Sequence, residues 1–221
     1  MKRSLVPLLA CALASPAAAS APIIADVLFP DASQLSVLGS ITSVACVPAV
    51  SGSIDLGDIS RDDLREGFGT SLQVRRTTLS VTCDRAAKVA VVAYDAQRSG
   101  APDESVFVLT DGSGDRVVGG FLVSSGSFLL DGAAGIGMEW DGEKGYRSIP
   151  QTEEGPLHNL RMWPGRPVAF QFPNARRGEP SAFKTLSVDL NVRPWLEPRE
   201  TFDATELVGI KGAVTFELLV L

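Results

Sequence analysis

From residue 35 onward the chain is cut into short apolar runs closed by Gly, Pro, Asp or Ser, and within many runs polarity alternates with a period of two. Leu79, Val81 and Cys83 fall on one side of such a run, with Thr78, Ser80 and Thr82 on the other. That period belongs to a β-strand with one face in a core and one in water; an amphipathic helix would repeat every 3.6 residues. The pattern predicts strands over 35–47, 53–56, 77–83, 88–94, 105–109, 117–123, 127–130, 136–140, 160–163, 167–172, 185–192 and 211–220. Asp111-Gly112, Asp131-Gly132, Asp141-Gly142 and Pro164-Gly165 mark reversals, because these pairs accept the dihedral angles a tight turn needs. One helical turn is expected within 60–68, with Ser60 as its cap and Asp62 and Asp63 in its first turn. Segments 98–104 and 151–158 read as loops, and no linker or internal repeat divides the rest. The expected fold is all-β, a β-sandwich.

Upstream, Lys2 and Arg3 precede an apolar stretch over 5–13 and a small-residue stretch over 14–21. This is the order of a secretory signal peptide, and cleavage is expected after Ala19 or Ser20 because Pro22 sits badly just beyond a cut at Ala21. The apolar stretch is too short to span a bilayer. Residues 1–20 are therefore read as the signal, 21–34 as an N-terminal extension and 35–221 as the folded domain. Leu8-Leu9-Ala10-Cys11 resembles a bacterial lipoprotein cleavage box, but few apolar residues precede it and a better-placed small-residue zone follows. Cys11 is expected to leave with the signal. Cys46 and Cys83 remain, an even number in an oxidising compartment, and a disulfide is their expected state. Closing the loop between them stabilises the fold by about 4 kcal/mol in the chain-entropy description. A metal site is the poorer reading, since no His or third Cys lies near enough to complete it.

Charge and motifs narrow the function. The net charge of −6 becomes −8 when Lys2 and Arg3 are removed, and no dense Lys/Arg tract occurs. That balance argues against a nucleic-acid partner, whose binding rests on neutralised phosphates. The chain has one histidine, so a His-rich metal site is excluded. It contains no Gly-x-Ser-x-Gly elbow, no His-Glu-x-x-His helix and no phosphate-binding glycine loop. His158 sits in a proline-bounded loop and reads as structural. Glu153 and Glu154 are neighbours on one loop, whereas glycoside hydrolysis needs two opposed carboxylates. Asp111-Gly112-Ser113-Gly114-Asp115 resembles half of a calcium loop without its sixth-position Gly or distal Glu, and a hairpin turn explains it. No cofactor is implied, and the chain is read as a non-enzyme. Trp140, Trp163 and Trp195 beside polar loops keep open a second reading, a secreted carbohydrate-binding sandwich or tip adhesin, although aromatics at strand ends also serve as core.

Apolar alternation also marks both ends. Val214, Phe216, Leu218 and Val220 share one face of the final run, which is either an ordinary last strand paired on both sides or a strand with an open edge. Ile23, Ala25, Val27 and Phe29 alternate within the extension, which can be an edge strand of its own sheet, a segment packed on the surface, or a strand for another molecule. Leu35-Ser36-Val37-Leu38-Gly39-Ser40-Ile41-Thr42-Ser43-Val44-Ala45-Cys46-Val47-Pro48, then Ser53-Ile54-Asp55-Leu56-Gly57-Asp58-Ile59, resembles the opening of chaperone–usher pilin subunits. There a Gly, a short strand and Ala-Cys precede a hydrophobic-Gly-hydrophobic element, and Leu79-Ser80-Val81-Thr82-Cys83 fits the position of the second cysteine. A nearer likeness is to the fimbria-associated family called domain of unknown function 1120, through Cys46-Val47-Pro48, segment 95–100 and the run 212–221. Val220 stands where pilins usually place an aromatic, and Ala25 and Pro30 depart from a donor segment that alternates around a Gly.

The resemblance implies an immunoglobulin-like, pilin-type β-sandwich lacking its final strand, exported through the periplasm to a fimbrium or the cell surface. It implies a structural subunit assembled by donor-strand complementation and contributing to surface adhesion. Its partners would be a periplasmic pilus chaperone, an outer-membrane usher and neighbouring pilin subunits, with host or surface glycans as further contacts. The acceptor groove would run along Val214, Phe216, Leu218 and Val220, and the donor strand would present Ile23, Ala25, Val27 and Phe29.

Overall fold

A computed structural model describes residues 43–97, 105–149, 160–203 and 208–221. In chain order its strands are β1 (Cys46–Val50), β2 (Thr70–Ser71), β3 (Arg75–Asp95), β4 (Phe107–Asp111), β5 (Val117–Leu130), β6 (Ala133–Ala134) and β7 (Ile136–Trp140). They continue with β8 (Tyr146–Ser148), β9 (Arg161–Met162), β10 (Pro167–Gln171), β11 (Ala182–Leu196), β12 (Ile210–Lys211) and β13 (Val214–Val220). Every pairing is antiparallel. Among the described residues there is no α-helix; the helical turn expected within 60–68 is a 3-10 turn over Arg61–Asp63, capped by Ser60, whose Oγ accepts from Asp62 N at 3.3 Å.

The organising element is β3. Runs 77–83 and 88–94 are one strand, continuous through Asp84-Arg85-Ala86. Between the pairs Thr82–Thr185 and Ala87–Phe183, residues 83–86 of β3 face only Lys184 of β11. Such a bulge bends a strand and re-aims it. The first half of β3 pairs with β1 and β11, and its second half with β10 and β13. One layer therefore runs β12-β4-β5-β11-β3-β1, the other β13-β3-β10-β7-β8, with β3 common to both.

On both sides of the bulge, odd-numbered residues of β3 point into the space between the layers: Leu79, Val81, Cys83, Ala87, Val89, Val91 and Ala93 are all buried in one cluster. Phe170 of β10 bridges the layers, its ring 5.5 Å from Phe128 of β5 and 6.2 Å from Phe183 of β11. On the outer side of the second layer Ala90, Met138 and Ala169 are buried beneath Tyr146, so 89–93 is apolar on both faces and its alternation disappears. Cys46 and Cys83 stand opposite each other in the β1–β3 register and are joined in a disulfide, as the cysteine arithmetic predicts.

Further predicted runs differ from the strands observed. Runs 117–123 and 127–130 fuse into β5, and 53–56 forms no strand. Run 211–220 divides at Gly212-Ala213, because β12 pairs with β4 in the first layer while β13 pairs with β3 in the second. Gly212 is required at that crossing: a Cβ there would lie 2.7 Å from Leu109 Cδ2 and 2.9 Å from Phe121 Cε1. Residues 35–42 lie outside the described part of the chain. Beyond the strands the core is roofed by irregular chain. Leu64 and Phe202 are buried there and Ile54, Leu56, Ile59 and Val208 half-buried. Arg61 Nε donates to Phe202 O at 3.0 Å, and Arg199 pairs with Glu66.

Candidate functional site: an open strand edge

Among the described residues, strand β13 is held along one side only. Its register on β3 runs from Val214–Asp95 to Val220–Val89. Ala96 N donates to Ala213 O at 3.1 Å and Leu221 N to Lys88 O at 2.9 Å. Those two bonds fix the phase of the ladder: Thr215, Glu217 and Leu219 exchange main-chain bonds with β3. The N–H and C=O groups of Val214, Phe216, Leu218 and Val220 therefore point away from it, and among the described residues no main-chain group meets them.

The same four residues turn their side chains toward the interior, because both in-plane and out-of-plane directions alternate with period two. Val214, Phe216 and Leu218 are half-buried against the core, and Val220 is 57% exposed. By contrast, Leu79, Val89, Phe170 and Phe183 at the centre are sealed at 0%. An unpaired main-chain edge and an incompletely covered apolar row thus coincide on one strand. At its far end β13 adjoins β1, where Val44 and Cys46 are likewise half-buried.

Other edges are blunted. Strand β12 has two residues and β8 three. Strand β1 has five, and there Ala45 O and Ser51 N bond to β3, so Cys46, Pro48 and Val50 face outward. Pro48 has no N–H to offer on that side, a common protection against edge pairing. Strand β13 has seven residues and no proline. The protection at Pro48 and the direction of the β13 main-chain groups are not legible in the sequence; both depend on ladder phase, which two main-chain bonds on each strand reveal.

The remaining sequence candidates are dispersed. The donor-strand residues Ile23, Ala25, Val27 and Phe29, together with Cys11, Glu153, Glu154 and His158, lie outside the described residues. Asp111 closes the β4–β5 turn: its Oδ1 accepts from Ser113 Oγ at 2.6 Å and from Gly114 N at 3.0 Å. The Ser113 hydroxyl, followed by the main-chain amides, holds the Asp111 carboxyl below its ordinary value. Trp195 lies over Gly120 of β5 in the first layer, where a Cβ would collide with its ring. Trp140 and Trp163 instead line one cleft on the second layer.

Comparison with known proteins adds one match. Residues 35–121 match the family described as Protein of unknown function (DUF1120). The matched stretch holds both cysteines, β1 to β4 and the start of β5, and leaves β13 outside it. No curated protein matches the chain.

Proposed function

We propose that this protein is an exported structural subunit of a fimbria, assembled by strand addition onto β13. The observation that carries the reading is the coincidence on β13 of outward main-chain groups with half-buried Val214, Phe216 and Leu218. An extended segment laid along this edge gains main-chain hydrogen bonds, and its alternating side chains set the register. Left bare, such an edge invites aggregation, which is the physical reason for a periplasmic chaperone to cover it before an outer-membrane usher passes the subunit on. The occupant in the fibre is the 21–34 extension of a neighbouring subunit. Ile23 to Phe29 has the length of β13 and the same alternation of four apolar residues. The role is that of an interacting scaffold without catalysis or cofactor.

Deletion of residues 21–30 tests this assignment. With a chaperone co-expressed, the shortened subunit is expected to fold and to remain unassembled. Undiminished polymerisation refutes the donor role, and a shortened chain that folds as a stable monomer without any partner refutes the open-edge reading.

A further inference from the structure

Around the turn that joins β9 to β10, next to the end of β7, aromatic and guanidinium groups converge. Trp163 and Arg166 are the ends of a tight turn in which Arg166 N donates to Trp163 O at 3.1 Å, with Gly165 between them at φ 74°. Gly165 N donates to Ala93 O at 2.8 Å, pinning the turn to β3. The Arg161 guanidinium lies 3.9 Å from the centre of the Trp163 ring and that of Arg166 5.5 Å. Arg161 is itself steadied by donating to Ser105 O at 2.7 Å. Trp140, 43% exposed, stands edge-on to Tyr146 with ring centres 5.1 Å apart. Trp140, Trp163, Arg161, Arg166 and Glu139 line a cleft of about 260 Å³, counting space open to solvent.

Three features of this cleft point to one ligand chemistry. Its local charge is positive on an acidic chain: Arg161 and Arg166 line it, and Glu139 is already paired with Arg147 at 3.6 Å. Guanidinium groups recognise carboxylates as two-pronged donors. Flat indole faces accept the C–H face of a pyranose. We propose that the Trp140–Trp163 cleft binds a carboxylated sugar residue, a uronic or sialic acid unit of a surface glycan. Arg166, exposed at the turn, grips the carboxylate; Trp140 supplies the stacking face; Arg161 positions Trp163.

The test is a tryptophan-fluorescence and calorimetric titration of the intact protein with a hyaluronan tetrasaccharide, 3′-sialyllactose, lactose and hexaglutamate, repeated on Arg166→Gln and Trp140→Ala. Saturable binding of one acidic saccharide is expected, at least about tenfold tighter than lactose, reflecting one charge-assisted contact. Which of the two acidic saccharides binds tells uronic from sialic acid. Arg166→Gln is expected to reduce the acidic saccharide to the lactose level, and Trp140→Ala to weaken every saccharide, with unchanged melting temperatures showing that both variants fold. The proposal is overturned if neither acidic saccharide saturates, if Arg166→Gln leaves the preference intact, or if hexaglutamate binds as tightly, which marks an acidic-peptide site instead. This cleft does not involve β13, so its failure leaves the assembly reading untouched.

Discussion

A peptide of residues 21–34, added to a chain lacking that segment, is expected to occupy the free edge of β13 and raise its melting temperature. The magnitude follows from what β13 still exposes. Val214, Phe216 and Leu218 are half-buried. Complete burial of such side chains stabilises by about 1.5–3 kcal/mol each, so the half still to be gained amounts to roughly 2–4 kcal/mol for the three. For a domain of this size each kcal/mol moves the midpoint by about 2–4 °C, which makes the rise on the order of 10 °C at saturating peptide. Phe216→Ala removes the largest of the three surfaces and is expected to cut the rise by a third or more. A peptide with Val27→Asp carries a charge into the groove and is expected to give no rise. The assay is thermal unfolding followed by near-ultraviolet circular dichroism, against a scrambled peptide of identical composition. Equal shifts from the scrambled and native peptides would refute the register argument. No shift at millimolar native peptide would refute the open edge itself.

Three further outcomes test the fold beneath the site. Replacing both Cys46 and Cys83 with Ala opens the β1–β3 crosslink and is expected to cost about 2–4 kcal/mol by chemical denaturation; a loss well below 1 kcal/mol would show that β1 is held by its ladder alone. Gly120→Ala forces a methyl group against the Trp195 ring and to 2.9 Å from Phe107 O, and is expected to destabilise by about 1–3 kcal/mol, whereas unchanged denaturation midpoints would mean that β5 and β11 are not so closely apposed. Acid is expected to destabilise the protein through Asp111, Glu179 and Glu200. Their carboxyls are lowered respectively by the Ser113 hydroxyl, by hydrogen bonding and charge from Lys88, and by main-chain amides including that of Gly67. A carboxyl lowered on folding contributes stability above its unfolded value and loses it as pH falls through the folded one. Melting temperatures measured from pH 7 to 3 should therefore begin to drop near the ordinary glutamate value of 4.5 and continue below it. Asp111→Asn should flatten part of that slope, and an unaltered slope would remove Asp111 from the account.

Much of this architecture follows from local chemistry that any reader of the sequence can apply. Leu79, Val81 and Cys83 alternate with Thr78, Ser80 and Thr82 because one face of that strand meets a core and the other meets water, and the structure buries the first set. Asp131-Gly132 turns where predicted, with φ of 49° and 80°, since those residue types tolerate left-handed backbone. The cysteine pairing follows from counting. What local chemistry does not contain is which strand lies beside which. That Asp84-Arg85-Ala86 is a bulge rather than a turn depends on Lys184, about a hundred residues away, because bulges are defined by what the partner strand omits. The separation of β12 from β13 depends on Leu109 and Phe121 crowding Gly212, and the meeting of Trp140 with Trp163 on the order of β7 and β10. Above all, alternation shows that Val214, Phe216, Leu218 and Val220 share a face, yet it is silent on whether their amides have partners. Side-chain polarity is written residue by residue, whereas main-chain groups are chemically alike along the chain; only the neighbours assembled by the tertiary fold determine which of them are left over.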